Sequence, residues 1–417
     1  MQSIRGMRDI WPPEAYSFAW LVNTASELVE SFGYSYILTP IIEPRELFVR
    51  ALGDATDVVQ KEMYEFVDKG NRHVVLRPEA TASVLRAFFQ RPQQERVLPS
   101  RLYTYGPMFR FDRPQSGRYR QFYQFDVELL GDASAYADVE IIELAVSCLR
   151  SIGIDDFQLQ LNSIGDENCR PRYKKALVEF YAEHEAELCE DCKKRLYTNP
   201  LRLLDCKESS CELLKQSAPR IDDFLCDECK EHYELVKQGL LEAGINYVPN
   251  PFIVRGLDYY SRTTFEFWHH FLGESQNSLG GGGRYDGLAS QLGFGELAAT
   301  GFAVGIDRIL VVLEKKGLLT TLSEVIYILP TDRSMYTDAA SLARKLRQQG
   351  IKCAVDYTDR SLSAKFKAVS RAGAKRVVIV GPKDVANGVY VVRHLDKSTQ
   401  YRVSISEVAE NLLVTNT

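Results

Sequence analysis

Two strand-like segments, residues 102–111 and 121–130, constrain the fold of this chain most strongly. A polar loop rich in arginine, proline and glycine separates them, which is typical of two antiparallel strands. A helix-like segment follows at 135–151, and strand-like residues resume at 252. Because strands and helices occur in separate blocks, the first part of the chain is predicted to be an α+β domain built on an antiparallel sheet.

The N-terminal segment predicts a long amphipathic helix over residues 12–32, followed by a strand over 35–42. Thr39 and Pro40 interrupt that strand. Proline within a strand occurs at sheet edges or bends, so this element is expected to lie at an edge and to reach an interface.

Beyond residue 324, strand-like and helix-like segments alternate, which predicts a small α/β domain with a largely parallel sheet. We therefore divide the chain into domains 1–323 and 324–417. The second has 15 lysines and arginines against 9 aspartates and glutamates. A net charge of −5 for the whole chain excludes a generic basic nucleic-acid coat, but this local excess suits local RNA binding. A solvated surface is the alternative.

Residues 166–245 are helical, charged and rich in cysteine, and they are predicted to form an insertion. Their cysteines include two Cys-x2-Cys pairs with further cysteines between them: Cys189, Cys192, Cys206, Cys211, Cys226 and Cys229. Paired thiolates at that spacing are able to hold a tetrahedral zinc ion. Reduced, half-buried cysteines are the alternative, and the sequence leaves the choice open.

The remaining bulk properties fit an intracellular protein. The 417 residues are 45% hydrophobic, which is ample for two or three cores. The chain has no apolar run of about 18 residues, so no membrane span is predicted and a cytoplasmic location is expected.

Four arginines occur in separate motifs: Arg110, Arg118, Arg255 and Arg308. A single arginine is usually a surface ion-pair partner. Several guanidinium groups that converge on one site form a permanently charged clamp for a polyanion, and this pattern indicates a nucleoside triphosphate.

Polar residues that could bind a second substrate occur in two places. Glu79 and Thr81 stand at the start of a helix, where Glu79 is either a capping acid or a partner for an ammonium group. Gln124 and Glu128 share one face of a strand and need hydrogen-bond partners. The glycine run 280–283 reads by default as a flexible turn.

Taken together, these motifs resemble the histidyl-tRNA synthetases, which are class II aminoacyl-tRNA synthetases, over nearly the whole chain. Residues 37–40 resemble the first class motif, 109–128 the second and 301–308 the third. Residues 255–260 and 282–287 are similar to two segments peculiar to the histidine enzymes. Each class motif is degenerate alone, whereas this combination in this order is specific.

The resemblance implies a role for each site residue. Arg110 and Gln124 would contact the α-phosphate of ATP, Arg118 and Arg308 the γ-phosphate, and Asp112 the adenine. Arg255 would stabilise charge on the α-phosphate during attack. Glu79 and Thr81 would hold the α-amino group of histidine, and the imidazole pocket would be formed by Glu128, Tyr259, Tyr260 and Tyr285.

The resemblance also implies the substrates and partners. ATP with Mg²⁺, L-histidine and tRNA(His) would be bound, the 324–417 domain would bind the anticodon, and the first motif implies a homodimer. No metal is assigned to the catalytic site itself. Asp112 and Asp307 stand where the family usually has glutamate. A non-catalytic relative, the regulatory subunit of ATP phosphoribosyltransferase, would lack the arginines and the terminal domain.

Overall fold

The computed structural model describes residues 1–54, 56–254, 259–273, 277–319 and 325–414. The chain divides into two compact units, Met1–Thr320 and Thr321–Thr417. Among the described residues, no helix is both long and apolar enough to cross a membrane.

The first unit contains helices and strands in mixed order. Its helices are α1 (Glu14–Ser31), α2 (Arg45–Leu52), α3 (Thr81–Gln90), α4 (Ala135–Ser151), α5 (Arg170–Glu183), α6 (Glu190–Thr198), α7 (Ser209–Lys215), α8 (Asp227–Glu242), α9 (Leu288–Gln291) and α10 (Ile306–Lys316). Its strands are β1 (Ser35–Tyr36), β2 (Ile42–Pro44), β3 (Tyr64–Val67), β4 (His73–Leu76), β5 (Ser100–Phe109), β6 (Gln121–Leu130), β7 (Gln158–Ser163), β8 (Val248–Pro249), β9 (Ser261–Trp268), β10 (Ser278–Arg284) and β11 (Ala299–Gly305). Short helical turns lie at Val58–Glu62, Gln93–Glu95, Glu185–Glu187, Pro200–Asp205, Ile221–Phe224 and His270–Leu272.

An eight-stranded sheet in the order β1-β5-β6-β11-β10-β9-β7-β8 forms the framework of the described part of this unit. Its six central strands pair antiparallel, and only the edge strands β1 and β8 pair parallel. This confirms the predicted antiparallel α+β domain. Strand β6 lies near the middle of the sheet and pairs with β5 and β11 along its whole length or most of it.

Alternation along β6 sets which face carries the polar residues. Phe125, Val127 and Leu129 are buried in one core, together with apolar residues of α1, α4 and α10. Because successive side chains of a strand point to opposite faces, Gln124 and Glu128 must lie on the other face of the sheet.

The predicted strand 35–42 is wrong in its length. Only Ser35–Tyr36 pairs with the large sheet, at its edge, and the chain resumes as β2 in a separate sheet of order β2-β4-β3. Pro40 has no amide hydrogen to donate, so a continuous ladder through it is disfavoured. The expected edge position of this element is confirmed.

The glycine run 280–283 is not a turn, and that default interpretation is wrong. These residues lie inside β10 and pair with β9 and β11. A Cβ added to Gly280 would lie 2.3 Å from the Ala303 carbonyl oxygen, and one added to Gly282 would lie 2.0 Å from that of Gly301. Glycine therefore permits the close approach of two neighbouring backbones.

The insertion has its own small core, in which Tyr173, Leu177 and Leu196 are buried with several cysteines. Its last helix, α8, returns to the main sheet. There the buried His232 makes a 2.8 Å contact through Nε2 with Asp138 Oδ2 on α4. Asp138 in turn pairs with the buried Arg284 of β10 at 2.9 Å, so the insertion is joined to the sheet by a buried polar network.

The second unit is a mixed sheet with helices. Its strands are β12 (Ile326–Pro330), β13 (Cys353–Val355), β14 (Arg376–Val380), β15 (Val389–His394) and β16 (Thr399–Ser404), and its helices are α11 (Tyr336–Gln348), α12 (Leu362–Arg371), α13 (Pro382–Ala386) and α14 (Val408–Val414), with a short turn at Arg333–Met335. Strands β13, β12 and β14 are parallel, whereas β14, β15 and β16 are antiparallel. The α/β architecture is confirmed, but the expectation of a largely parallel sheet holds only for one half.

Candidate active site

A cavity of about 360 Å³ opens on the polar face of the large sheet. All the proposed site residues that the structure describes line it: Glu79, Thr81, Arg110, Asp112, Arg118, Gln124, Glu128, Tyr259, Tyr260, Tyr285 and Arg308. They come from six separate parts of the sequence. Arg255 lies outside the residues that the structure describes.

Glu128 lies at the most buried end of the cavity. Its two carboxylate oxygens accept hydrogen bonds from Thr81 Oγ1, at 2.7 Å, and from the Tyr285 hydroxyl. Burial raises the pKa of Glu128 well above its usual value, the two hydrogen bonds oppose this, and the charges of Asp126 and Glu79 add to it. A cationic or hydrogen-bond-donating ligand would stabilise the ionised form of this carboxylate.

Glu79 caps helix α3. Its carboxylate accepts hydrogen bonds from the amides of Thr81, at 2.8 Å, and Ala82, at 3.0 Å, which places its negative charge at the positive end of the helix. Burial raises the pKa of Glu79, although these amides and Arg110 oppose the shift. The capping role is therefore real, and the same carboxylate also lines the cavity.

Asp126 is a site residue that the sequence argument missed. It lines the cavity between Gln124 and Glu128, and burial raises its pKa well above the usual value, reinforced by the charge of Glu79. Within the described residues, Asp126 Oδ2 and Gln124 Oε1 are buried without a hydrogen-bond partner. The period of two that links Gln124 to Glu128 passes through Asp126, so the signal was present in the sequence.

Three buried tyrosines stand beside these carboxylates. The ring centroids of Tyr259 and Tyr260 are 4.7 Å apart, and those of Tyr259 and Tyr285 are 5.6 Å apart at a steep angle. Burial raises the pKa of Tyr259 and of Tyr285, so both are neutral hydroxyls. They give this end of the cavity flat apolar walls with hydroxyl groups, which suits a small aromatic ring.

The arginines occupy a half-buried part of the cavity. Arg110 Nε donates to the Pro78 carbonyl oxygen at 2.9 Å, and its guanidinium lies 5.5 Å from the Phe122 ring centroid. Arg308 Nη1 donates to the Ser278 carbonyl oxygen of β10. Backbone oxygens thus help to hold both side chains in place.

Two aspartates of the motifs are engaged within the protein. Asp112 pairs with Arg118, and both side chains are partly exposed. Asp307 accepts from Arg8 Nη2 at 2.8 Å and from the Tyr123 amide at 2.7 Å. Sequence reasoning missed Arg8, because nothing in the sequence links two residues that stand so far apart along the chain.

Groups of side chains that could share a metal ion lie outside the cavity in the described parts of the chain. They are Cys189, Cys192, Cys206 and Cys211; Asp166, Cys169, Cys226 and Cys229; and Asp156, His269 and His270. The two Cys-x2-Cys pairs belong to different groups. The fold therefore does not bring both pairs together in a single zinc site.

Comparison with known proteins identifies the family of this chain. The family model described as histidyl-tRNA synthetase matches residues 6–309, and the model described as anticodon binding domain matches residues 325–415. The chain belongs to the histidyl-tRNA synthetase family. It is 42% identical over 406 residues to the histidine–tRNA ligase of Oleidesulfovibrio alaskensis, covering 97% of each chain.

Solved structures of the family share the fold. The apo histidyl-tRNA synthetase of S. aureus has a TM-score of 0.80 and 34% identity, with 99% of each chain covered. A protein from Bacillus halodurans C described as an ATP phosphoribosyltransferase regulatory subunit/histidyl-tRNA synthetase has a TM-score of 0.66 and 24% identity, covering 91% of this chain and 98% of that one. This second likeness concerns the fold alone.

Proposed function

We propose that this chain is a histidine–tRNA ligase whose cavity binds histidine beside its buried carboxylates and ATP beside its arginines. It joins L-histidine and ATP into histidyl-adenylate with release of pyrophosphate, and then transfers histidine to the 3′ end of tRNA(His). One observation carries the proposal: residues of opposite charge, drawn from six parts of the sequence, line the two parts of one cavity.

Histidine suits the carboxylate part of the cavity. Its α-ammonium group would lie near Glu79 and Thr81, and its imidazole would lie between Glu128 and Tyr260, against Tyr259 and Tyr285. Burial opposes ionisation of Glu79, Asp126 and Glu128, and Arg110 counters this only in part at Glu79 and Asp126. An ammonium group that binds beside these carboxylates stabilises their ionised forms further. Thr81 and Tyr285 already donate to Glu128, and an amino acid without a ring N–H would offer this buried carboxylate no further donor, which is the physical basis of discrimination.

ATP suits the arginine part. Arg110 and Gln124 would contact the α-phosphate, and Arg118 and Arg308 the γ-phosphate, with Asp112 near the adenine. For Arg118 and Asp112 to bind ATP, their mutual ion pair must open or rearrange. The proposed role of Arg255, stabilisation of charge on the α-phosphate, rests on the family resemblance alone.

The chemistry needs positioning and charge stabilisation rather than a covalent catalyst. A histidine carboxylate oxygen attacks the α-phosphorus, the bond to the β-phosphate bridging oxygen breaks, and pyrophosphate leaves with that electron pair. A ribose hydroxyl at the tRNA 3′ end then attacks the carbonyl carbon of the adenylate, and AMP leaves. Fixed guanidinium groups stabilise the negative charge that develops on phosphate oxygens.

Mg²⁺ is expected to enter as part of the ATP complex. Among the described residues of the cavity, no three possible ligand side chains lie close enough together to share one ion, and both oxygens of Asp307 already accept hydrogen bonds. These residues therefore suit a metal held mainly by phosphate oxygens and water, which is how Mg²⁺ usually accompanies nucleotides.

We assign residues 1–323 to the catalytic domain, with 166–245 as an insertion, and residues 324–417 to the anticodon-binding domain. The excess of lysine and arginine in the second domain suits contact with tRNA phosphates, and exposed bases would supply the specificity.

A homodimer formed through the first motif is also proposed. Tyr36 on the edge strand and Leu38, Ile41 and Ile42 just after it are large apolar residues exposed in the single chain. Contiguous exposed apolar surface beside an open strand edge is typical of a subunit interface. A cytoplasmic location is proposed because the cysteines are free thiols, as in a reducing compartment.

Transfer of radiolabelled histidine to tRNA(His) by the purified chain tests the function. We expect charging that requires ATP, and none when histidine is replaced by each of the other standard amino acids. A chain that binds histidine but charges no tRNA would contradict the proposal and favour a regulatory histidine-binding protein.

A further inference from the structure

The insertion brings seven of the nine cysteines together in two places. The four-cysteine cluster consists of Cys189, Cys192, Cys206 and Cys211, and the mixed cluster consists of Asp166, Cys169, Cys226 and Cys229. Within each cluster the four potential ligand atoms all lie within 4.8 Å of one another. We propose that each cluster binds one zinc ion, so that the chain carries two structural zinc ions outside its catalytic cavity.

Distances within the four-cysteine cluster fit a single tetrahedral ion. Cys189 Sγ and Cys206 Sγ are 3.8 Å apart. Four sulfurs at about 2.3 Å from one zinc ion stand roughly 3.8 Å from each other, whereas a disulfide bond would bring two of them to about 2.05 Å. Buried cysteines that serve only as small apolar residues are not expected to place four sulfur atoms around one point.

The two clusters repeat one local construction. Cys189 and Cys226 each precede the first residue of a helix, with φ,ψ of −66°, 160° and −72°, 165°, and Cys192 and Cys229 lie in the first turns that follow. The amide of Cys189 donates to Cys211 Sγ at 3.4 Å, and the amide of Cys226 donates to Cys169 Sγ at 3.0 Å. Helix N-termini and amide donors stabilise thiolates, which are the form that binds zinc.

A buried hydroxyl beside the four-cysteine cluster is an independent sign. The Tyr181 side chain is fully buried in the same small core as these cysteines, and its hydroxyl finds no hydrogen-bond partner among the described residues. Thiol groups are weak acceptors, whereas metal-bound thiolates carry the negative charge that would satisfy a tyrosine hydroxyl.

The mixed cluster joins the insertion to the active site. Cys169 is followed by Arg170, whose Nη1 donates to the Tyr260 carbonyl oxygen at 3.0 Å. Asp166 lies 3.8 Å from the Arg262 guanidinium of β9. A Cβ on Gly165 would lie 2.7 Å from Cys169 Cβ, so the chain passes the cluster as closely as glycine allows. A metal ion in the mixed cluster would hold in place the backbone that carries the cavity residue Tyr260.

The size of the insertion also favours bound metal. Its buried core consists of two tyrosines, six leucines, Ala218 and Ile221, together with five cysteines. Small folding units with limited apolar cores commonly depend on a metal or on disulfides. The described cysteines form no disulfide bond. Two zinc ions would supply cross-links that bring α5, α6, α7 and α8 together.

Metal analysis of the full-length protein tests the proposal. After gel filtration in buffer containing EDTA, we expect about two zinc ions per chain by mass spectrometry of the elements, with no stoichiometric iron. Cys192→Ser combined with Cys206→Ser should leave one, and Cys226→Ser combined with Cys229→Ser should also leave one. Cys353→Ser, which removes a half-buried cysteine of the second unit, is the matched control and should retain both.

A second measurement does not depend on the variants folding. The wild-type protein exchanged into Co²⁺ should show thiolate-to-metal charge-transfer bands and the strong visible bands of tetrahedral cobalt at two ions per chain. Fewer than two bound ions, iron in place of zinc, or zinc lost in the Cys353→Ser control would overturn the proposal.

Discussion

The active-site cavity and the cysteine clusters both bury polar groups that the protein alone leaves incompletely satisfied. In the cavity, Asp126 Oδ2 and Gln124 Oε1 have no hydrogen-bond partner in the described chain, and the buried carboxylates of Glu79, Asp126 and Glu128 line the same space. In the clusters, thiols face thiols. The difference lies in access: the cavity is open and about 360 Å³ in volume, which suits ligands that come and go, whereas most of the cluster sulfurs are buried.

The chain therefore satisfies its buried polar groups in two different ways. The cavity satisfies its buried carboxylates only in part, so that a bound substrate adds to their stabilisation. The thiolates of the clusters, as we propose, are bound by metal when the insertion folds, and they remain bound. Substitutions in the clusters should therefore mainly lower the stability of the folded protein, and substitutions in the cavity should mainly change the use of substrates.

Removal of metal should have the largest effect. Structural zinc contributes on the order of 10 kcal/mol of apparent binding free energy in small domains. Treatment with a thiol-reactive mercurial plus chelator should therefore expose residues 166–245 to limited proteolysis. Mass spectrometry of the fragments would locate the cuts. Cuts that fall equally in the second unit would show general unfolding and remove the contrast.

Glu128→Gln should reduce kcat/KM for histidine by roughly 10²-fold, equivalent to about 3 kcal/mol for a buried charged partner. The KM for ATP should change little, because Glu128 lies among the tyrosines rather than among the arginines. The measurement is pyrophosphate exchange at varied histidine and ATP.

Glu43→Gln is the matched control for that variant. Glu43 is also a buried carboxylate, but it accepts a hydrogen bond from Arg86 at 2.6 Å and does not line the cavity. The control should retain the wild-type histidine KM, and an equal loss in both variants would mean that Glu128 acts only through folding.

Arg308→Ala should raise the KM for ATP by roughly 10-fold, which corresponds to one charge-assisted hydrogen bond, and leave histidine binding nearly unchanged. Arg333→Ala, which removes an exposed arginine of the second unit that pairs with Asp359, is its control. Calorimetric titration of each ligand separates the two affinities. Loss of histidine affinity in Arg308→Ala would argue against two distinct ends of the cavity.

Disruption of the two clusters should change the histidine KM to different extents, and this difference should be smaller than the effects above. Because Arg170 contacts the Tyr260 carbonyl oxygen, Cys226→Ser combined with Cys229→Ser should raise the histidine KM several-fold. Cys192→Ser combined with Cys206→Ser should change it less. Steady-state kinetics at a temperature where both variants remain folded would show this, and equal KM values would mean that the mixed cluster does not position the tyrosines.

Asp126→Asn should give the smallest effect, and its sign depends on pH. Burial and the charge of Glu79 raise the pKa of Asp126 above its unfolded value, so the folded protein holds this proton more tightly. Ionisation of Asp126 therefore lowers the stability of the folded protein as the pH rises through the raised pKa of this residue. The asparagine variant should be more stable than wild type at pH 8, with a smaller gain at pH 5.

Urea denaturation at both pH values measures that difference. Because asparagine does not ionise, a gain that is the same at pH 5 and pH 8 would show that charge on Asp126 is not the cause.

Much of the framework was predictable because it is encoded locally. The strand-like segment 121–130 is observed as β6 with the same bounds. Helix α10 ends at Lys316, and Gly317 after it adopts the left-handed conformation that commonly ends a helix. The site residues followed from motif resemblance rather than from pattern alone.

Other features depend on contacts between distant residues, which no local pattern contains. The glycine run is a strand because it pairs with β9 and β11, and the close approach of the backbones favours glycine at these positions. Arg8 and Asp307 meet although 299 residues separate them. The cysteines were visible in the sequence, but only the fold shows that the two Cys-x2-Cys pairs belong to different clusters.

Exchange of labelled pyrophosphate into ATP by the purified wild-type chain tests the central claim most directly, because it reports adenylate formation in the cavity without tRNA. We predict exchange that requires histidine and is abolished when histidine is omitted or replaced by another amino acid. Exchange independent of histidine, or no exchange with any amino acid, would contradict this account.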